Sequence, residues 1–221
     1  MRLDPDHIGI WGRTKSGKTT RAALLLRGHA RVVAYDPFEQ FSRLATARAT
    51  TLTGVLHAVD AQWRARRWCV QYVPPKGVDP QEAMHRLCEL LFQVQEGYYR
   101  REHDNQVMFA VDEMADPCPN VIPKKGMDGF RRMCRFGRHY GIGVIGTSQR
   151  MADVTTAFRG NTSQDYFFPL RGERDYVAAE GLLGRQHRDA LRALQPHRAI
   201  HWVDGAANLV RNPPIQKKNC L

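Results

Sequence analysis

The sequence lacks any apolar run long enough to cross a membrane. Its longest uninterrupted apolar stretches, such as Ala22–Leu26, are only strand-length, whereas a membrane-spanning helix needs roughly 18–20 apolar residues. The first residues, Met1–Asp6, carry charges in place of the apolar segment of a secretory signal. We therefore expect a water-soluble protein of the cytoplasm with no membrane span of its own.

Cysteine is scarce and unpaired in the sequence. The chain has 5 cysteines, an odd number, and none of them forms a Cys-x-x-Cys pair. A disulfide framework or a zinc cluster needs closer or paired spacing. We expect reduced and mostly buried thiols at Cys69, Cys88, Cys118, Cys134 and Cys220.

Acidic residues are also few relative to basic ones. The 22 Asp and Glu residues face 33 Lys and Arg residues, which gives a formal net charge of +11, and 26 of the basic residues are arginine. Arginine binds phosphate with a planar fork of donors, so the partner is expected to be anionic. The remaining composition, 43% apolar and 25% charged, is typical of a globular protein and argues against disordered, collagen-like and coiled-coil chains.

The order of apolar segments indicates an α/β fold in a single domain. A length of 221 residues suits one such domain, here residues 1–221 with a C-terminal hairpin and tail from about residue 198. Short buried strands that alternate with helices predict a mostly parallel sheet with helices on both faces. The predicted strands are residues 7–11, 31–35, 68–73, 107–111, 142–145 and 165–168, and the predicted helices are 18–27, 80–99, 129–140, 173–183 and 186–194. A hairpin is expected over 199–210, and residues 38–66 have no clear periodicity.

A phosphate-binding loop follows the first predicted strand. Residues 12–19 read Gly-Arg-Thr-Lys-Ser-Gly-Lys-Thr and match the pattern G-x-x-x-x-G-K-[ST] between a strand and a helix. In such a loop the main-chain N–H groups surround the phosphates, Lys18 reaches the β- and γ-phosphates, and the Thr19 hydroxyl binds Mg²⁺. The predicted ATP-binding residues are Gly12, Arg13, Thr14, Lys15, Ser16, Gly17, Lys18, Thr19 and Thr20. The alternative is a glycine turn that only caps a helix.

An acidic pair ends the strand at residues 107–111. Nucleotide hydrolysis needs one carboxylate for the magnesium ion and one group that polarises the attacking water. Asp112 is the candidate metal ligand with Thr19, and Glu113 is the candidate catalytic group. The alternative is a pair of solvated acids at a strand end.

Gln149 follows the next predicted strand, where it is placed to sense the γ-phosphate. The phosphate loop, the strand ending in Asp112-Glu113, and residues 138–150 (RHYGIGVIGTSQR) together resemble the HerA/FtsK superfamily of ring-forming DNA motors. In size and layout the chain is most similar to the genome-packaging ATPases of internal-membrane icosahedral DNA viruses, the tectivirus type. Lys15 departs from this family, which usually has glycine at that position.

This resemblance implies a RecA-like P-loop ATPase fold with an additional strand, in which the strand before Gln149 lies between the other two. It also implies a homo-oligomeric ring, preferably a hexamer, that hydrolyses ATP with Mg²⁺ and moves double-stranded DNA. Capsid vertex or portal proteins would be further partners, in the host cytoplasm or at the virion vertex. The arginine that reaches the neighbour's γ-phosphate would be Arg138, with Arg135 and Arg150 as second choices, unless Arg138 is only a surface residue.

The segment after the acidic pair carries the candidate DNA-binding residues. Lys124 and Lys125 lie in a Pro-rich loop, and Arg131 and Arg132 follow it. Basic groups on phosphate give sequence-independent binding to a duplex. The alternative is a solvated basic loop without a partner.

Three other functions fit parts of the pattern. A HerA-like or conjugation-type DNA pump shares every motif, and gene context would distinguish it from a packaging motor. A small-molecule kinase shares the phosphate loop but gives no reason for the charge of +11. A nucleotide-switched DNA-binding scaffold would not need Glu113.

Overall fold

The computed structural model describes residues 4–121 and 126–213. Their central feature is a nine-stranded sheet in the order β3-β4-β2-β5-β6-β1-β7-β8-β9. The strands are β1 His7–Trp11, β2 Arg31–Tyr35, β3 Ala47–Ala49, β4 Trp68–Tyr72, β5 Val107–Val111, β6 Ile142–Ser148, β7 Gln164–Phe167, β8 Arg198–Val203 and β9 Ala206–Arg211. The pairs from β3 to β7 are parallel, and β8 and β9 are antiparallel. The predicted mostly parallel α/β sheet is confirmed.

Eight α-helices accompany these strands in the described residues. They are α1 Lys18–Leu26, α2 Leu52–Gln62, α3 Pro80–Val94, α4 Glu96–Tyr99, α5 Gly129–Phe136, α6 Thr156–Arg159, α7 Glu173–Leu183 and α8 Arg188–Arg192. None of these helices has both the length and the apolar composition needed to cross a lipid bilayer.

The strands β1, β2 and β4 to β7 are buried on both faces, as their continuous apolar sequences predict, whereas β8 and β9 at one edge of the sheet are more exposed. One core contains alternate strand residues such as Phe109 and receives side chains from α2, α3, α5 and α7. The other core contains Met108 and its neighbours in the sheet, and it receives Ala22 and Leu26 of α1 together with Phe41. Helices therefore cover both faces, but most of the helical cover lies on one of them.

The strand order brings three chain segments to one edge of the sheet. β6 lies between β5 and β1, which is the arrangement that the family resemblance implies. All three strands are parallel. Their carboxyl ends therefore meet at one edge, where the phosphate loop, Asp112-Glu113 and Gln149 follow them.

Several predicted boundaries were wrong. β6 continues past Ile145 to Ser148, so Thr147 and Ser148 belong to the buried sheet. The predicted helix 80–99 is divided at Gln95, whose buried side chain donates to the carbonyl oxygen of Asn105 at 2.9 Å. The predicted helix 129–140 becomes 3₁₀ after Phe136 and ends at Gly141, which has φ 69°.

The segment without clear periodicity, residues 38–66, contains β3 and α2. β3 has only three residues, and only Val55 and Val59 of α2 are buried. Such short amphipathic signals are too weak to be seen in the sequence. The helix begins where the Thr51 side chain accepts a hydrogen bond from the Gly54 N–H at 3.0 Å, as an N-cap residue does.

The described cysteines agree with the expectation of free thiols. Cys69, Cys88, Cys118 and Cys134 are free and buried. Burial raises the pKa of the Cys69 thiol to about 12, which keeps it protonated and unreactive. Cys220 lies outside the described residues.

Candidate active site

A cavity of about 550 Å³ lies at the carboxyl edge of β1, β5 and β6. We call it the P-loop cavity. It is lined by Thr14, Lys15, Ser16, Gly17, Lys18, Thr19, Thr20, Phe38, Gln40, Asp112, Glu113, Thr147, Gln149 and His197. The structure thus brings together most of the predicted ATP-binding residues, both acidic residues and Gln149.

The phosphate loop is anchored to the sheet at its start. The N–H of Gly12 donates to the carbonyl of Ser148 at 3.1 Å, and the N–H of Arg13 donates to the carbonyl of Pro169 at 2.8 Å. Gly17, at the start of α1, has φ 110°, and a Cβ there would come within 2.5 Å of the Asn212 side-chain nitrogen. Only glycine fits this position.

Lys15 occupies the left-handed region with φ 60°. Glycine adopts that conformation without strain, which explains why the similar family usually has glycine there. In this chain a lysine adopts the left-handed conformation, at a cost in strain. Its side chain is exposed at the mouth of the P-loop cavity.

Lys18 points into the cavity and is only 8% exposed. Its ammonium group donates a 3.2 Å hydrogen bond to the carbonyl of Arg13. Burial lowers the pKa of Lys18, and the carboxylates of Glu113 and Asp112 act against this shift. A desolvated cation in this position is well placed to bind phosphate.

Asp112 is buried at the end of β5. Its Oδ1 accepts a hydrogen bond from the hydroxyl of Thr147 at 3.0 Å. Burial raises the pKa of this carboxyl to about 6, and the neighbouring Asp36 and Glu113 act in the same direction, whereas Thr147 and Lys18 act against it. The charged form of Asp112 is therefore costly unless a cation approaches.

Glu113 leaves the strand in the left-handed region with φ 52°. Its Oε1 accepts hydrogen bonds from the Ser148 hydroxyl at 2.9 Å and from the Gln149 N–H at 3.2 Å. The side-chain oxygen of Gln149 in turn accepts a hydrogen bond from the Thr14 hydroxyl in the phosphate loop. Gln149 therefore contacts both the acidic pair and the loop.

The donor set suits a magnesium ion. Mg²⁺ prefers oxygen ligands and is usually held by one or two carboxylates together with substrate phosphates and water. The cavity offers the Thr19 hydroxyl and the Asp112 carboxylate, and the raised pKa of Asp112 shows a carboxylate that a cation would stabilise. The described residues hold no cluster of three or more His, Cys, Asp or Glu side chains that would form an all-protein metal site.

Sequence reasoning missed several residues of this region. Asp36 follows β2 and is fully buried, where it accepts hydrogen bonds from the N–H groups of Gln40 and Phe41. Its position directly after a strand was a readable signal, like that of Asp112. His197 and Asn212 flank the C-terminal hairpin and contact the phosphate loop, and no local sequence signal indicates these contacts.

Arg138, the predicted trans-acting arginine, does not line the P-loop cavity. Arg138 is in the 3₁₀ turn before β6, at the amino edge of the sheet and away from the P-loop cavity. It donates to the carbonyl of Asn161 at 2.6 Å. Burial and the adjacent Arg138 guanidinium lower the pKa of His7 to about 4. Arg135 is exposed on α5, and Arg150 lies 3.7 Å from the Asp175 carboxylate.

Of the candidate DNA-binding residues, Arg131 and Arg132 are described, and neither lines the P-loop cavity. Arg132 forms a 2.7 Å ion pair with Glu89, so its charge is partly neutralised within the chain. Arg131 donates to the carbonyl of Val121. Lys124 and Lys125 lie outside the described residues.

No protein-family model matches the sequence, and no curated protein matches it either. Solved structures do. The genome-packaging NTPase B204 of Sulfolobus turreted icosahedral virus 2, in complex with AMP, superimposes with a TM-score of 0.70 at 16% identity, over 95% of this chain and 98% of that chain. The chain therefore has the fold of this NTPase.

Two bacterial proteins share this fold. VirB4 of Thermoanaerobacter pseudethanolicus matches with a TM-score of 0.64 at 10% identity, over 96% of both chains. ATPases 2 and 3 of EssC from Geobacillus thermodenitrificans match with a TM-score of 0.62 at 13% identity, over 97% of this chain and 40% of that chain. The resemblance inferred from the motifs is thereby confirmed at the level of the fold.

Proposed function

We propose that the protein is an ATPase that moves double-stranded DNA and that it serves as the genome-packaging motor of a virus. The observation that carries the proposal is the P-loop cavity, in which Lys18, Asp112, Glu113 and Gln149 meet. The likeness to B204 over nearly the whole of both chains supports the packaging role. The net charge of +11 supports a polyanionic partner.

Each side chain in the P-loop cavity has a separate role in hydrolysis. Lys18 binds the β- and γ-phosphates, and the loop N–H groups surround them. Thr19 and Asp112 would hold Mg²⁺, which neutralises charge on the phosphates when it is bound. Glu113 polarises the attacking water, and Gln149 senses the γ-phosphate.

A ring completes the site in this proposal. A homo-oligomer, preferably a hexamer, would bring Arg138 of one subunit to the γ-phosphate of its neighbour. Such an arginine stabilises charge in the transition state and contributes about 10³–10⁵ in rate in known phosphoryl-transfer enzymes. Because Arg138 lies at the edge of the sheet opposite the P-loop cavity, the γ-phosphate that it would reach belongs to another subunit.

Duplex DNA would bind to the basic segment after Glu113. Lys124, Lys125, Arg131 and Arg132 are the candidate contacts, through phosphate and without base readout. Capsid vertex or portal proteins would be the further partners, and the host cytoplasm or the virion vertex the place of action.

A displacement assay tests this function. The protein is incubated with ATP, Mg²⁺ and a duplex that carries a labelled third strand, and release of that strand is followed. A translocase releases the strand only with hydrolysable ATP, whereas a nucleotide-switched scaffold binds DNA without releasing it. Transfer of phosphate to a nucleoside acceptor, with no effect of DNA, would identify a kinase instead.

A second candidate is a HerA-like or conjugation-type DNA pump. The likeness to VirB4 and EssC supports it. Both candidates predict third-strand release, so they are distinguished by the genes beside this one. Capsid genes would select packaging.

A further inference from the structure

The last two residues of β6, Thr147 and Ser148, each form a hydrogen bond with one residue of the acidic pair. In the parallel register of β5 and β6, Val111 lies opposite Gly146. The next residues follow the same order: Thr147 bonds to Asp112 at 3.0 Å and Ser148 bonds to Glu113 at 2.9 Å. Each carboxylate thus has its own hydroxyl partner on the neighbouring strand.

The orientation of the Glu113 side chain depends on its hydroxyl partner, Ser148. Its main chain has left the sheet with φ 52°, and its side chain is only partly buried. Its Oε1 is held by the Ser148 hydroxyl and, together with Oε2, by the Gln149 N–H at 3.2 and 3.3 Å. All of these contacts come from the end of β6.

Ser148 is itself held firmly. The residue is fully buried, and its hydroxyl oxygen accepts a hydrogen bond from the Arg150 N–H at 3.1 Å. A hydroxyl has one proton, and here that proton is directed to Glu113. The carbonyl of Ser148 accepts the hydrogen bond from Gly12 at the start of the phosphate loop. One residue therefore links the phosphate loop to the carboxylate.

We propose that Ser148 is a positioning residue for Glu113. Its hydroxyl fixes the carboxylate at a constant place relative to the phosphate loop, so that Glu113 faces the water that attacks the γ-phosphate. This inference rests on the proposed ATPase function. It assigns to Ser148 an effect on the rate of hydrolysis and none on nucleotide affinity, because the hydroxyl contacts Glu113 and not the loop.

The test compares Ser148→Ala, Ser148→Thr and wild type in steady-state ATP hydrolysis and in binding of a non-hydrolysable ATP analogue. Ser148→Ala removes the hydroxyl but keeps the main-chain contact with Gly12. Its kcat should fall about 10–100-fold, the range expected when a reacting group loses its alignment. KM and the analogue Kd should stay within about 2-fold of wild type, since ground-state binding is unchanged. Ser148→Thr keeps the hydroxyl and should recover most of the rate.

Ser163→Ala is the matched control. The Ser163 hydroxyl also donates to a carboxylate, that of Asp6 at 2.8 Å, but at the amino edge of the sheet. This variant should hydrolyse ATP at the wild-type rate. Thermal unfolding of all variants shows whether a reduced rate reflects a smaller amount of folded protein.

A double-mutant cycle with Glu113→Gln decides whether Ser148 acts through Glu113. In the Glu113→Gln background, Ser148→Ala should lower the residual rate no further, because the two changes remove one function. Additive effects on the rate would overturn the inference, and so would a wild-type or raised kcat in Ser148→Ala, or a fall in kcat matched by weaker binding. A wild-type protein without ATP hydrolysis would instead overturn the proposed function and this inference with it.

Discussion

The side-chain amide of Asn212 donates a 2.8 Å hydrogen bond to the carbonyl of Gly17 in the phosphate loop. The N–H of Asn212 donates to the carbonyl of His197 at 3.0 Å, and the N–H of His197 donates to the carbonyl of Ser16 at 2.8 Å. Two of these bonds connect the two ends of the β8–β9 hairpin to the loop, and the third joins the ends to each other. The C-terminal hairpin is therefore part of the support of the P-loop cavity.

Asn212→Ala should loosen this support. Asn212 is only 3% exposed, and its removal takes away one of the hydrogen bonds that the Gly17 carbonyl accepts, which contributes about 0.5–1.5 kcal/mol. The Gly17 carbonyl keeps its hydrogen bond from the Arg21 N–H at 3.1 Å, so we expect a small decrease in the free energy of unfolding in urea and weaker binding of ATP analogues. Asn208→Ala, at an exposed position of β9, is the matched control and should change neither. Unchanged binding in Asn212→Ala would show that the loop holds its shape without the hairpin.

Asp112→Asn should stabilise the protein without nucleotide while it abolishes hydrolysis. In the folded protein burial raises the pKa of Asp112 to about 6, whereas an unfolded Asp loses its proton near pH ~3.9. Between these values the folded state binds more protons, so the contribution of Asp112 to stability falls as pH rises through that window and is least favourable above pH ~6. Asn keeps the acceptor for Thr147 and carries no charge.

Urea unfolding at pH 5 and pH 8 measures this effect. The gain in stability from Asp112→Asn should be about 1–3 kcal/mol at pH 8 and smaller at pH 5. Asp60→Asn, on the exposed side of α2, should give no such pH-dependent gain. Burial also raises the pKa of Asp165 to about 6, so Asp165 contributes to the pH dependence of the wild type as well. The contribution of Asp112 is therefore the difference in unfolding free energy between Asp112→Asn and wild type at each pH. An equal effect at both pH values would contradict the assignment of the shift to Asp112.

Arg138→Ala should lose hydrolysis and keep nucleotide binding, because a residue that acts across an interface stabilises only the neighbour's transition state. Mixing Arg138→Ala with Lys18→Ala subunits should recover part of the activity, at interfaces where an intact Lys18 site meets an intact Arg138. Subunit exchange is confirmed by light scattering and by labelled subunits. Mixed rings without any recovery would exclude Arg138 as the trans-acting group and favour Arg135 or Arg150.

Changing both Lys124 and Lys125 to alanine should weaken binding to duplex DNA equally for all sequences. The slope of log K against log salt should flatten by about 0.9 for each lysine–phosphate interaction that the change removes. Lys76→Ala, at an exposed position outside this segment, is the control for a change of net charge. If the salt slope of the double variant is unchanged, the DNA-binding site is at Arg131 and Arg132 or on another face of the protein.

The central part of the fold was predictable because its signals are local. β1, β2 and β5 have the predicted bounds, since each is a short apolar run closed by glycine or aspartate. The meeting of Lys18, Asp112 and Gln149 follows from parallel strands that share one carboxyl edge. For these residues the motif spacing and the sheet geometry predict the same site.

The remaining parts depend on contacts between distant residues. The hydrogen bond between Asn212 and Gly17 spans 195 positions, and nothing near Asn212 in the sequence indicates it. The hydroxyl of Ser148 gains its role only because β6 is longer than its apolar run and pairs with β5 in one register. Tertiary pairing, and not local propensity, decides these positions.

The decisive experiment for the proposed motor function is the steady-state rate of ATP hydrolysis with and without duplex DNA, in wild type, Lys18→Ala and Lys76→Ala. We predict hydrolysis in wild type that duplex DNA stimulates, the same behaviour in Lys76→Ala, and no hydrolysis in folded Lys18→Ala, which lacks the charge that bridges the β- and γ-phosphates. Retained hydrolysis in Lys18→Ala, or a wild-type rate that is indifferent to DNA, would contradict the proposed function.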